Sequence, residues 1–283
     1  MRNAAFDSWQ VRRVSIDEWQ AVLDWACQEK WDLGERDQMS FFNADPEGFF
    51  VGYLNGQPTA SVSVVNHSSH YAHIGHYLVD PKQRGKGWGL RTWNAALEHA
   101  GNRVLGCDGM PAQEANYRKS GLTAYYRTLR LSGPVNESFE VADDAIRIQP
   151  EHLEEVVAYD EACLGVHRAA FLKDWFTGPG RSGFFTRRVG RINGLVGIRP
   201  STDGYRLGPW YAEDTPTTVA LLETALAQVP IGTRVTFDAP ETSQDSLNLA
   251  DDLGSKELFP TIRMYRGPVP DGDHAKVKAI TTL

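Results

Sequence analysis

The chain is poor in the residues that would make a disulfide-stapled, metal-bound or membrane-embedded protein. Its 283 residues hold three cysteines, Cys27, Cys107 and Cys163, widely spaced and without a Cys-x-x-Cys pair. Such usage excludes a disulfide framework and a structural zinc, and it suits a reducing compartment. No run approaches the ~20 apolar residues that a membrane helix needs, and the opening MRNAAFDSWQ lacks the apolar centre of a signal peptide. Basic residues are outnumbered, 29 Lys and Arg against 36 Asp and Glu, with no basic stripe to follow a nucleic acid. These absences predict a cytoplasmic protein with no metal, nucleic-acid or membrane partner.

What is present is ordinary globular composition, 41% hydrophobic and 23% charged, in a chain long enough for two domains of roughly 100–200 residues. Ile16, Trp19, Val22, Leu23 and Ala26 recur at helical spacing behind a Ser15/Glu18 capping box. A short helix over Glu35–Asn43 follows, then strands at Gly48–Asn55, Thr59–Val65 and Tyr71–Val79, the first two joined by an Asn55-Gly56 turn. Leu90, Trp93, Leu97 and Ala100 stripe a helix. A strand Arg103–Asp108, a helix Ala112–Ser120 ending at Gly121, and a strand Leu122–Leu131 complete the set.

From residue 145 the same order returns: strand Ala145–Ile148, helices Glu151–Cys163 and Val166–Phe176, then strands Gly183–Val189, Gly194–Arg199 and Tyr205–Tyr211. Helix Pro216–Gln228, strand Arg234–Asp238, helix Gln244–Leu253 and strand Leu258–Arg266 close it. A match at an offset of about 130 residues is an internal duplication. Asp108 answers Asp238, and Gly121 answers Gly254. The reading is an α/β chain with a mixed sheet in two copies, residues 1–133 and 145–283, joined by a polar linker at 134–144.

Between Val79 and the Leu90 helix lies Asp-Pro-Lys-Gln-Arg84-Gly85-Lys86-Gly87-Trp88-Gly89. Successive amides of a glycine turn entering a helix form an anion cradle, and Arg84, Lys86 and Arg91 add charge. A P-loop would need Lys-Ser/Thr after the last glycine, where Leu90-Arg91 stands. A dinucleotide turn would need a third glycine at Leu90 and should start at the strand's end rather than five mostly polar residues later.

The Arg84-Gly-Lys-Gly-Trp-Gly89 turn after Leu-Val-Asp-Pro resembles the acyl-CoA pyrophosphate turn of the GNAT superfamily of N-acetyltransferases. Tyr117-Arg-Lys-Ser-Gly121-Leu122 resembles that family's Tyr-x-Lys-x-Gly-Phe ending, in the right order and on the expected elements. The wider pattern, including Trp25, Phe49-Phe50, Asp108-Gly, Gln113 and Asn116, resembles a tandem GNAT subfamily with a divergent second copy.

The resemblance implies acetyl-CoA as co-substrate, held by Leu78 and Val79 at the strand's end, by Arg84 to Leu90 in the turn, and by Asn116. It implies direct acetyl transfer to a primary amine of a small molecule, with Tyr117 as acid for the leaving thiolate. The asparagine that the family usually carries seven residues before the tyrosine is Met110 here. His73 is a candidate base or a half-buried strand histidine; alternation would put it on a face with Tyr77 and Val79, with His76 opposite. Asp108 could act as base, hold an ammonium or cap the next helix. Cys107 reads more readily as a small core residue than as a nucleophile. Trp31, Asp32 and Asp37 lie where the family's acceptor pocket forms, and acidic plus aromatic residues suit an amine. The second copy has Gly208-Pro-Trp-Tyr-Ala-Glu-Asp-Thr-Pro216 at the turn, with two carboxylates where phosphate would sit, so it should not bind CoA. A monomer or homodimer is compatible with this layout. The rival functions are an acyl-CoA sensor without catalysis, and an acyltransferase using a longer acyl group or a peptide N-terminus.

Overall fold

The computed structural model describes residues 8–281. The first half comprises β1 (Trp9–Arg13), α1 (Gln20–Gln28), α2 (Asp37–Ala44), β2 (Phe49–Leu54), β3 (Gln57–Asn66), β4 (Tyr71–Val79), α3 (Trp88–Leu97), β5 (Val104–Gly109), α4 (Glu114–Lys119) and β6 (Thr123–Pro134). The second repeats it as β7 (Ile146–Arg147), α5 (Leu153–Leu164), α6 (Ala169–Thr177), β8 (Ser182–Arg188), β9 (Arg191–Ser201), β10 (Gly204–Ala212), α7 (Thr215–Leu226), β11 (Arg234–Pro240), α8 (Gln244–Asp252) and β12 (Lys256–Arg266). A last strand, β13 (Val277–Ala279), has no counterpart in the first half.

Local signals account for several boundaries. The Ser15/Glu18 box forms, with the Glu18 carboxylate accepting from the Ser15 amide at 3.0 Å, although regular helix begins only at Gln20. Asn55 and Gly56 take φ of 52° and 79°, the paired left-handed conformations of a tight hairpin turn. The periodicity missed β1, five residues beside β2, and β13.

Among the described residues, thirteen strands join one mixed sheet in the order β1-β2-β3-β4-β5-β12-β6-β11-β10-β9-β8-β7, with β13 added beside β10. The last strands are exchanged: β12 of the second half lies between β5 and β6, and β6 pairs with β11. Neither half therefore completes its own sheet. Trp19, Phe41, Phe171 and Trp175 belong to a core shared by α1, α2, α5 and α6 of both halves. Separate cores lie under α3 and α4, around Trp93 and Leu105, and under α7 and α8, around Leu221 and Phe237. Among the described residues no helix is long and apolar enough to cross a membrane.

Candidate active site

Strands β4 and β5 pair in parallel from Tyr71–Val104 to Ile74–Cys107 and then part. Beyond Ile74 strand β4 keeps only β3 as a strand neighbour, so its far edge, as far as Leu78 and Val79, is covered by no other strand. The glycine turn stands at the open end of this fork. Gly85 and Gly87 have φ of 75° and 85° with open space where a side chain would be, so their backbones are accessible. Gly89 serves another purpose: a Cβ there would lie 2.6 Å from Val79 Cγ2, and its absence lets α3 close onto β4. The Arg84 guanidinium folds back, donating to the Val79 carbonyl at 3.0 Å and to Glu29 at 2.5 Å. Lys86 donates to Gln83, Trp88 stacks on Trp9 at 4.6 Å, and Leu90 is exposed beside the turn.

Simple alternation does not hold along β4. His76 has φ of 47°, and Ser61 and Ser63 of β3 face Leu78 and Gly75, one residue too many for a regular ladder. This bulge flips the later side chains. Tyr77 packs on Trp93 of α3 and Val79 approaches Gly89, whereas His76 meets Trp19 on the opposite face. His73 does not share a face with Tyr77 and Val79, as period two would have it. It lies with Tyr71, whose hydroxyl is 2.9 Å from Nδ1, while Nε2 is 3.4 Å from Asp108 Oδ2. Burial pulls the His73 imidazole below its ordinary range despite that carboxylate, so the ring is neutral at physiological pH.

Asp108 caps nothing. Arg263 of β12 forks it with bonds of 2.7 and 2.9 Å, and this holds the carboxyl below its usual range against the opposing effect of burial. A cavity of about 30 Å³, room for a couple of waters, opens beside His73 between the halves, lined by Tyr71, His67, Arg168, Arg263 and Tyr265 among others. Tyr117 lies at the fork, its ring tilted against Trp93 with centroids 5.5 Å apart and packed on Gly109, where a Cβ would be 2.3 Å away. Burial raises its phenol, which stays protonated at any physiological pH. Burial likewise raises the Cys107 thiol, so it supplies no thiolate. Asn116 lies on the surface, bonded to Gln113 and Lys119.

The acidic loop before α2 is committed elsewhere. Asp37 is buried between Arg199, which forks it at 2.7 Å to each oxygen, and Arg181 at 2.8 Å. Asp32 accepts from the Asp203 amide, and the Trp31 carbonyl accepts from Arg130 at 2.6 Å. With Gly34 bridged to Ser201, the loop straps the first half to the second and leaves neither Asp32 nor Asp37 free, whereas Glu35 is exposed.

In the second half, β10 and β11 also pair in parallel and part after Leu207–Phe237. Here the gap is filled from within. Residues 277–279 pair with Trp210 and Tyr211 on one side, and the Ile280 amide donates to the Asp238 carbonyl at 3.0 Å on the other. Asp214 caps α7 and pairs with Arg188. Sequence reading missed the plug at 277–280 and missed Arg263. The duplication carried a signal for the arginine, because Arg130 occupies the equivalent place in β6.

Known proteins match this arrangement. Residues 12–126 match the Acetyltransferase (GNAT) family and residues 156–278 an Acetyltransferase (GNAT) domain. A holothin acyltransferase from Pseudoalteromonas sp. (strain SANK 73390) is 48% identical over 276 residues, covering 98% of this chain and 94% of its own. A Pyrococcus horikoshii protein described as an acetyltransferase superposes with a TM-score of 0.82 at 16% identity, over 100% of this chain and 97% of that one. A tandem GNAT protein from the clavulanic acid biosynthesis pathway gives 0.64 at 14% identity, over 92% and 99%.

Proposed function

The chain belongs to the GNAT family of acyltransferases, and from that premise we propose that it transfers an acetyl group from acetyl-CoA to an amine of a small molecule by direct attack, in its first half alone. One contrast carries the reading: the β4–β5 fork is open and ends on an accessible glycine turn, whereas the β10–β11 fork is plugged by residues 277–280. The donor brings an activated thioester whose leaving group is a thiolate. Leu78 and Val79 offer strand-edge groups to its arm, and the amides of Gly85 to Leu90 offer an anion cradle at the α3 N-terminus to its pyrophosphate.

His73, uncharged and facing the inter-half cavity, accepts the proton of the attacking amine, and Tyr117 supplies one to the departing sulfur. Asp37 is enclosed by two arginines and Asp32 accepts a backbone amide, so neither of these two aspartates is left to hold an ammonium, which favours an acceptor that arrives as the free amine. The Pseudoalteromonas relative is named for holothin, which makes holothin the first acceptor to try. An amine panel containing holothin, assayed for CoA release from acetyl-CoA, tests the reading. Release of CoA with formation of an amide is expected. Donor binding without turnover on any amine would support the sensor instead, and a preference for a longer acyl-CoA would reassign the donor.

A further inference from the structure

Asp108 stands where strands of both halves meet. The β12–β5 register sets Arg263 directly across from it, and Arg263 grips both carboxylate oxygens. His73 points Nε2 at the same carboxylate from 3.4 Å, without a well-formed hydrogen bond, while Nδ1 is engaged by Tyr71. The second half repeats this constellation. The β11–β6 register sets Arg130 across from Asp238, which it forks at 2.7 and 3.1 Å. His73 pairs with Gly106, two residues before Asp108, and Arg206 pairs with Thr236, two residues before Asp238. Arg206 likewise bonds Asp238. Each aspartate is thus held by an arginine from the other half's last strand. Only the third member differs, and a guanidinium cannot accept a proton.

We infer that Arg263 is a positioning residue for acyl transfer: by neutralising Asp108 from across the exchanged strand, it keeps His73 an uncharged, proton-accepting imidazole. The inference rests on His73 being the base. The groups facing that ring are Tyr71 of its own strand, His67 before it, Asp108 of β5, Arg263 and Tyr265 of β12, and Arg168 ahead of α6. Without Arg263, Asp108 would be a buried carboxylate whose nearest counter-charge is a protonated imidazole, and the pair would take up one proton. A pair already holding that proton cannot accept another from the amine.

The test compares the pH dependence of kcat/KM for the full-length wild type, Arg263→Gln and Arg263→Lys, with imidazole titration followed by NMR on ring-labelled histidine. In Arg263→Gln the acid limb and the His73 titration should both move up by about 1–3 pH units. Arg263→Lys, which keeps the charge and loses the fork, should move them less. Adding Asp108→Asn to Arg263→Gln should bring the titration back down. Arg130→Gln, the equivalent change around Asp238, should lower stability and leave the limb in place. An unmoved His73 titration in Arg263→Gln, or in Arg263→Lys should the glutamine variant not fold, overturns the coupling. The titration reads that coupling directly, so loss of the base assignment, seen as wild-type turnover in His73→Gln, is a separate outcome.

Discussion

Tyr117 and His76 show how one environment, burial, has opposite consequences for two side chains. A phenol is neutral when protonated, so burial keeps the Tyr117 proton in place and available to a leaving thiolate. Tyr117→Phe keeps the ring against Trp93 and Gly109 and removes only the hydroxyl, so turnover should fall by ~10²-fold or more while donor affinity, measured by calorimetry, stays close to wild type. Equal turnover would remove Tyr117 as the acid. An imidazole is neutral when deprotonated, and burial against Trp19 holds His76 down at about 4. In the unfolded chain the same ring titrates near 6.5. Below that pH the unfolded state takes up a proton that the folded state refuses. Stability is therefore full above pH 6.5 and erodes as pH falls toward 4, by about 3 kcal/mol in total from this residue. His67 and His73 are shifted the same way and steepen the loss. Urea midpoints measured down this range should fall in the wild type and fall less in His76→Gln.

Among the elements, what could be read from the sequence was what local chemistry dictates. The α3 helix around Trp93, the Asn55-Gly56 turn and the repeated order of elements all rest on residues within a few positions of one another. Leu90, expected on the apolar stripe, is nevertheless exposed, and the buried face runs through Gly89, Thr92, Trp93 and Ala96. The glycine turn was legible for the same reason, since Gly85 and Gly87 reveal a left-handed backbone by being glycine. Three features were not legible, and each depends on distant chain. The bulge at His76 is set by the β3 register, and it moved His73 away from Tyr77. The strap formed by Asp32 and Asp37 depends on residues more than 140 positions further on: the Asp37 charge that looked available for substrate is spent on Arg181 and Arg199, and Asp32 accepts from the Asp203 amide. Strand β13 is three residues long and has no partner in the repeat, so neither periodicity nor duplication could reveal it. Its position between β10 and β11 depends on the fork that those strands form only after folding.

At the scale of the whole molecule, the exchange of β6 and β12 decides what the duplication means. Two tethered domains would each retain a complete sheet after the linker is cut. Here a fragment ending at residue 134 would carry β6 without its β11 and β12 neighbours and would leave the β5 edge bare. It would also strip Asp108 of Arg263, and the strap at Asp32 and Asp37 of its receptors. Exposed strand edges and the bared half of the core shared by α1, α2, α5 and α6 both favour aggregation or unfolding over an independent fold. Residues 1–140 expressed alone should therefore be insoluble or lack a cooperative melting transition. Co-expression with residues 141–283 should restore a soluble one-to-one complex, because both exchanged strands can still pair across the cut. If the first fragment alone melts cooperatively and binds acetyl-CoA, the strand exchange is dispensable and the halves are independent domains. If only the complex does so, the second half persists because it completes the first.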